Sequence, residues 1–136
     1  MNKYLLDTNV VSETRKPRPH GAVMQWLGGM ESGSTFLSAV TLCELQVGIE
    51  KTRRQDPQKA EEIEHWADQL AATYEVLPMD APCFREWARM MPNQQPELLE
   101  DAMIAATARV HRLIVATRNE RDFRQLEVRT FNPFRN

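Results

Sequence analysis

At 136 residues, with 42% hydrophobic and 26% charged side chains, the chain has the make-up of one globular domain, 1–136, and not of a disordered or fibrous protein. A formal net charge of −2 excludes a broadly basic surface, although cations cluster at Arg15-Lys16-Arg18, Lys51-Arg53-Arg54 and Arg118-Arg121-Arg124. Apolar runs of about five residues fall far short of the roughly 20 that cross a bilayer, and no signal-peptide core follows Met1-Asn2-Lys3, so a cytoplasmic protein without membrane contact is expected.

Tyr4-Leu5-Leu6 reads as a buried strand that stops at the helix-capping residues Asp7-Thr8-Asn9. The short helix that follows is broken by Lys16-Pro17-Arg18-Pro19-His20-Gly21. Val23, Met24, Trp26, Leu27 and Met30 form the stripe of a second helix, ending near Gly28-Gly29 or a few residues beyond. Thr35-Phe36-Leu37 is a second strand. Ser38 caps a long helix from Ala39 to about Thr52, on which Val40, Cys43, Val47 and Glu50 recur at helical spacing.

Asp56-Pro57 starts the next helix, with Ala60, Ile63, Trp66, Ala67 and Leu70 as its apolar stripe, and the two helices are expected to form an antiparallel hairpin. Tyr74 to Leu77 is a strand, Asp80-Ala81-Pro82 opens a helix through about Met91, and Pro92 to Pro96 is a loop. The alanine-rich Leu98 to Arg112 is a helix able to lie close to a neighbour. Leu113-Ile114-Val115-Ala116 is a buried strand, a turn or short helix runs through Phe123, and Val128 to Phe131 closes the chain as an edge strand. Cys43 and Cys83 sit among apolar neighbours in helix-like sequence, which suggests free, small-hydrophobe roles. Strands alternating with helices predict a three-layer α/β/α sandwich with a central, mainly parallel sheet, in which ligands collect at the carboxyl ends of the strands.

Three carboxylates lie in unexpected company. Asp7 ends the first strand, where it either caps a helix or binds a ligand. Glu44 shares a helical face with Val40, Thr41, Val47 and Gly48, where a charge needs a salt bridge, a hydrogen-bond partner or a cation. Asp101 lies in the first turn of the alanine-rich helix, beside Leu98, Ile104 and Ala105, while the adjacent Glu100 is assigned to solvent. A place in the first turn could also answer the helix dipole. Brought into one cleft these acids would repel one another, and a hard divalent cation resolves the conflict.

Carboxylates without a His or Cys set favour Mg²⁺ or Mn²⁺ over Zn²⁺, and His20, His65 and His111 lack metal-ligand spacing. Such a site supports phosphoester hydrolysis by a cation-activated water. Ser12, Ser38 and Cys43 have no His partner in any motif, and there is no glycine-rich phosphate loop.

Leu5-Leu6-Asp7-Thr8-Asn9-Val10-Val11-Ser12-Glu13, Thr41 to Gly48, Asp101 to Ala108, Val115-Ala116-Thr117-Arg118-Asn119 and the tail Phe131-Asn132-Pro133-Phe134 resemble, in order and spacing, the PIN-domain ribonuclease toxins of the VapC and FitB type. The resemblance implies a four-acid pocket for Mg²⁺ or Mn²⁺ and cleavage of RNA. It also implies a homodimer inhibited within a hetero-oligomer by a cognate antitoxin that alone touches DNA. Asp7, Glu44 and Asp101 match the first three acids and are the expected metal ligands. Asn119 stands where some relatives have Asp, with Asp122 three residues on as the alternative fourth group. Thr8 and Asn9 would fix the Asp7 carboxylate and Thr117 would do similar work beside Asn119, or all three would cap helices, and Arg118 would touch the scissile phosphate, an antitoxin residue or solvent. Trp66 and its aliphatic neighbours would line an antitoxin groove or simply pack. Three rivals stand beside this reading: a nuclease on structured DNA, a phosphatase or receiver domain built on an early Asp, and a catalytically weak PIN-like module that binds without cleaving.

Overall fold

The computed structural model describes residues 2–135. Five short parallel strands form one sheet: β1 (Tyr4–Leu6), β2 (Thr35–Ser38), β3 (Glu75–Leu77), β4 (Ile114–Ala116) and β5 (Thr130–Phe131), in the order β3-β2-β1-β4-β5. β1 is therefore central and is flanked by β2 and β4, with Leu5 opposite both Phe36 and Val115. The strand alternation sorts the core into two layers. Leu5, Val115 and Leu77 point into one cluster; Leu6, Leu37 and Ala116 point into the other.

The first cluster is covered by α5 (Ala81–Met90), α6 (Leu99–His111) and α7 (Glu120–Gln125), which contribute Met90, Ala102, Ile104, Ala105, Ala106 and Phe123. The second is covered by α1 (Thr8–Val11), α2 (Gly21–Gly28) and α4 (Pro57–Thr73), through Val10, Val11, Val23 and Leu70. The three-layer expectation thus holds, and every strand pair is parallel. The long α3 (Ala39–Arg53), capped by Ser38 whose hydroxyl accepts from Val40 N–H, pairs with α4 around Ile49, Ala60 and Ala67. Among the described residues no helix is long and apolar enough to cross a membrane.

Several local expectations are corrected. Of Val40, Cys43, Val47 and Glu50 only Val40 faces inward; α3 buries Thr41 and Ile49 instead, because it packs on α4 and α6 along a narrower stripe. Cys43 is consequently exposed, while Cys83 is buried, and both are free. Glu50 lies at the surface, paired with Arg53 at 3.1 Å. Pro92 to Pro96 is not open loop, since 3-10 turns occupy Met91–Asn93 and Pro96–Leu98. The last strand is only Thr130–Phe131. Trp66 is half-buried between the α3–α4 cluster and the second sheet face, its indole N–H donating to Thr14 Oγ1 at 2.9 Å, so it packs.

The alanines of α6 bring this helix close to the sheet, and Ala105 and Ala106 are fully buried. Ala106→Leu should therefore overpack this layer and cost about 1–3 kcal/mol. Urea unfolding checks this: a midpoint unchanged from wild type would mean that the layer has room to spare.

Candidate metal centre

β1 ends at Asp7, whose own N–H still belongs to the sheet, donating to Ala116 O at 2.9 Å. The carboxylate is only 4% exposed, so the chain must satisfy it internally. Thr8 N–H donates to Oδ1 at 2.8 Å; on Oδ2, the Thr117 hydroxyl donates at 2.8 Å and the Asn9 amide at 3.2 Å. Capping and site-building are thus one arrangement: the cap bond fixes one oxygen, and the end of the neighbouring strand fixes the other. Burial nevertheless dominates and raises the Asp7 pKa, against the opposing pull of the Thr117 and Thr8 bonds.

Glu44, half-buried on α3, accepts from the Thr8 hydroxyl at 3.2 Å, and the same hydroxyl lies 3.4 Å from Thr41 Oγ1. Thr8 therefore ties the second acid to the loop that holds the first. Burial, then the charges of Glu100 and Asp7, lift the Glu44 carboxyl to about 7, with the Thr8 bond acting in the other direction. Asp101, also half-buried, rises to about 6 through burial and then the charges of Asp7, Asp122 and Glu100. The expected trio accordingly shares one electrostatic neighbourhood.

Two further acids belong to this neighbourhood. Glu100, which the sequence consigns to solvent, faces Glu44 across an open groove of about 390 Å³ floored by Val40, Leu99 and Met103. It is indeed exposed, so its rank in the helix stripe is right but its orientation toward α3 carries no sequence signal. Asp122, half-buried on α7, is within reach of Asp101. The Asn119 side chain is exposed, and what this residue contributes is a backbone N–H, donated to Thr117 Oγ1 at 2.9 Å. Asp122 thus adds a negative charge felt by Asp101, while position 119 presents its side chain to solvent.

Thr117 is fully buried and accepts from Asn119 N–H while donating to Asp7; Asn9 bonds Asp7 through its amide nitrogen and receives Arg118 N–H on its oxygen at 3.2 Å. Arg118 is exposed next to this network, its guanidinium 3.8 Å above the Phe134 ring.

Among the described residues none of Asp7, Glu44, Glu100, Asp101 and Asp122 forms an ion pair with a basic side chain. Nor do any three His, Cys, Asp or Glu side chains among them stand close enough to enclose an ion by themselves. Uncompensated acids that share a field without forming a cage fit a hard cation that keeps part of its water shell, and do not fit a tetrahedral Zn²⁺ site. All candidate donors are oxygens, as such a cation requires.

The PIN domain family matches residues 4–128 of the chain. Toxin FitB of Neisseria gonorrhoeae is 35% identical, covering 96% of this chain and 97% of that protein. VapC ribonuclease Y4jK of Sinorhizobium fredii is 31% identical over 96% of each chain, and the tRNA(fMet)-specific endonuclease VapC of Shigella flexneri is 32% identical over 93% of each. In three dimensions the chain resembles the crystal structure of FitAcB from Neisseria gonorrhoeae with a TM-score of 0.85 and 31% identity, covering 98% of this chain and 99% of the other. It resembles a FitAB assembly bound to a DNA fragment with a TM-score of 0.84 and 30% identity, covering 98% and 96%.

The charge cluster has a consequence for stability without metal. The Glu44 pKa is about 7 in the folded chain against an ordinary 4.5, so the folded state favours its protonated form; that contribution is complete below about pH 4.5 and is lost as the pH rises through 7. Glu44→Gln should therefore melt a few degrees higher than wild type at pH 8 in a chelator, with the gap closing at pH 4. Equal melting temperatures at pH 8 would show that Glu44 carries no such penalty.

Proposed function

The chain belongs to the PIN-domain family, and from that premise we propose that it is a metal-dependent endoribonuclease, the toxin of a type II toxin and antitoxin pair, with Asp7 as the pivot of its site. The observation that carries the reading is the Asp7 carboxylate, buried at the end of the central strand, bonded on both oxygens and near acids that have no basic partner among the described residues. Relatives named as VapC ribonucleases along almost their whole length support RNA as the substrate.

In this reading Asp7, Glu44 and Asp101 hold Mg²⁺, with Mn²⁺ able to replace it, and Asp122 or Asn119 completes the surroundings. A bound divalent cation supplies an acidified water and positive charge for the phosphate in the transition state. The chain supplies orientation. Thr117 and Asn9 fix Asp7 Oδ2, Thr8 fixes Oδ1 through its N–H and Glu44 through its hydroxyl, and both acids are therefore preset before substrate arrives. The raised pKa values of Glu44 and Asp101 belong to the metal-free chain, and a bound cation would favour the charged carboxylates that hold it. The groove between α3 and α6, apolar on its floor and acidic on its rim, gives room for a base or for a side chain of an inhibiting partner.

A cognate antitoxin would cover this edge of the sheet, and DNA would be met only through that partner, as the FitAB assembly with its DNA fragment suggests. A homodimer of the toxin is consistent with this arrangement. The rival reading, a module that binds without cleaving, draws only on the Asn at position 119, and Asp122 beside Asp101 weakens it.

Cleavage of a labelled RNA by the purified chain in Mg²⁺ or Mn²⁺, silent in a chelator, is the direct test. Asp7→Asn and Asp101→Asn should each lower kcat by at least about 100-fold, since several kcal/mol of charge stabilisation depend on the site. Thr117→Val should lose about 10- to 100-fold in activity or metal affinity while leaving all carboxylates in place. Cleavage that persists in Asp7→Asn would remove Asp7 from the mechanism, and inertness of the wild-type chain on every RNA would favour the binding module.

A further inference from the structure

An acidic site that must receive a polyanion needs cations on its approach, and the net charge of −2 means they must be placed locally. The acids close one side of the site with Glu44 and Glu100 on the α3–α6 groove. Around Arg118, next to Asn9, lie the segment after α1 and the tail. There Glu13, only 3% exposed, is a buried carboxylate with no place among the metal-site acids. It pairs with Lys16 and accepts the His20 N–H at 2.9 Å, so both ends of the Lys16–His20 loop hang on it. The His20 ring then meets Phe134 edge-on, with ring centres 5.1 Å apart, and the Arg118 guanidinium lies 3.8 Å above the same ring. Phe134 N–H is itself held by the side chain of the buried Asn132 at 2.9 Å.

A guanidinium stacked on an aromatic ring keeps its in-plane N–H donors free, and it has less freedom to lose when it grips a phosphate. Arg118 makes no ion pair among the described residues, and its backbone is fixed to Asn9, which also bonds Asp7. Resting on the ribonuclease reading above, we propose that Arg118 is the rim cation that receives a backbone phosphate of single-stranded RNA next to the acids, and that Phe134 is the positioning residue that holds it ready. Glu13 serves the same rim indirectly, by fixing the loop whose His20 meets the Phe134 ring edge-on.

The test uses the full chain, a short single-stranded oligoribonucleotide, binding measured in a chelator across salt concentrations, and cleavage measured in Mn²⁺. Arg118→Ala should weaken binding about 10-fold and reduce the salt slope by about 0.7, the value for one lost phosphate contact on a single strand. Phe134→Leu keeps an apolar side chain but no π face; it should raise KM about 3- to 10-fold with kcat unchanged, while Phe134→Tyr behaves as wild type. Arg118→Lys, at an exposed position where folding is not in question, should fall close to Arg118→Ala because the ammonium keeps the charge and loses the planar stack. The double variant Arg118→Ala with Phe134→Leu should be no worse than Arg118→Ala alone.

Additive losses in the double variant, or wild-type KM in Arg118→Lys, would overturn the positioning role. Wild-type RNA binding in Arg118→Ala would overturn the rim and leave this surface to a protein partner. Failure of the ribonuclease reading would show separately, as a wild-type chain that binds the oligonucleotide with the predicted salt slope but never cleaves it.

Discussion

Repulsion among carboxylates at the carboxyl edge of the sheet is the constraint around which this chain is organised. Five acids from three helices and one strand end share a field, and among the described residues no basic side chain is paired to any of them. Left to itself such a group would disperse into water. The chain prevents this by placing Asp7 at the end of the central strand, where Leu5 and Leu6 are fully buried on opposite faces and neighbours lie on both sides. It then attaches the further acids to α3, α6 and α7, which pack against β2, β4 and β5. Hydrogen bonds from Thr8, Asn9 and Thr117 offset part of the cost, and hydrophobic burial in the two core layers supplies the rest.

Much of this was legible from residue order alone, and the reasons are local. Leu5-Leu6-Asp7-Thr8-Asn9 announces strand, edge and cap within five residues, and each signal is set by backbone chemistry at that spot. The Ser38 cap, the Pro57 helix start and the apolar Ile114-Val115-Ala116 strand are legible for the same reason. What was not legible depends on rotation and packing. Cys43, Val47 and Glu50 fit an inward stripe by spacing, yet α3 turns them outward because its contacts with α4 and α6 select a different arc. Glu100 and Asp101 are adjacent in sequence and both carry acids; only the tilt of α6 against α3 decides that the exposed one also faces Glu44.

The fourth-acid ambiguity has the same origin. Asn119 and Asp122 lie three apart, about one helical turn, at the start of α7. A motif read by position favours 119, since the family resemblance anchors on Thr117-Arg118-Asn119. The fold uses that residue's backbone N–H to hold the Thr117 hydroxyl and leaves its side chain in solvent, while the charge of Asp122, half-buried on α7, is felt by Asp101. Glu13 illustrates the opposite case: it sits inside a recognisable string, but its partners Lys16 and His20 could not be named before the loop between them closed.

The bond from Thr117 to Asp7 spans 110 positions of the chain. Strand β1 is made first, but the hydroxyl that orients its terminal carboxylate, the strand that flanks it and the helix carrying Asp101 all come from the last third of the polypeptide. A growing chain therefore carries Asp7 and Glu44 long before it carries a site, and a prematurely ended product lacking β4 lacks the Thr117 that orients Asp7. The site is thus completed only where the two ends of the sequence meet in the sheet.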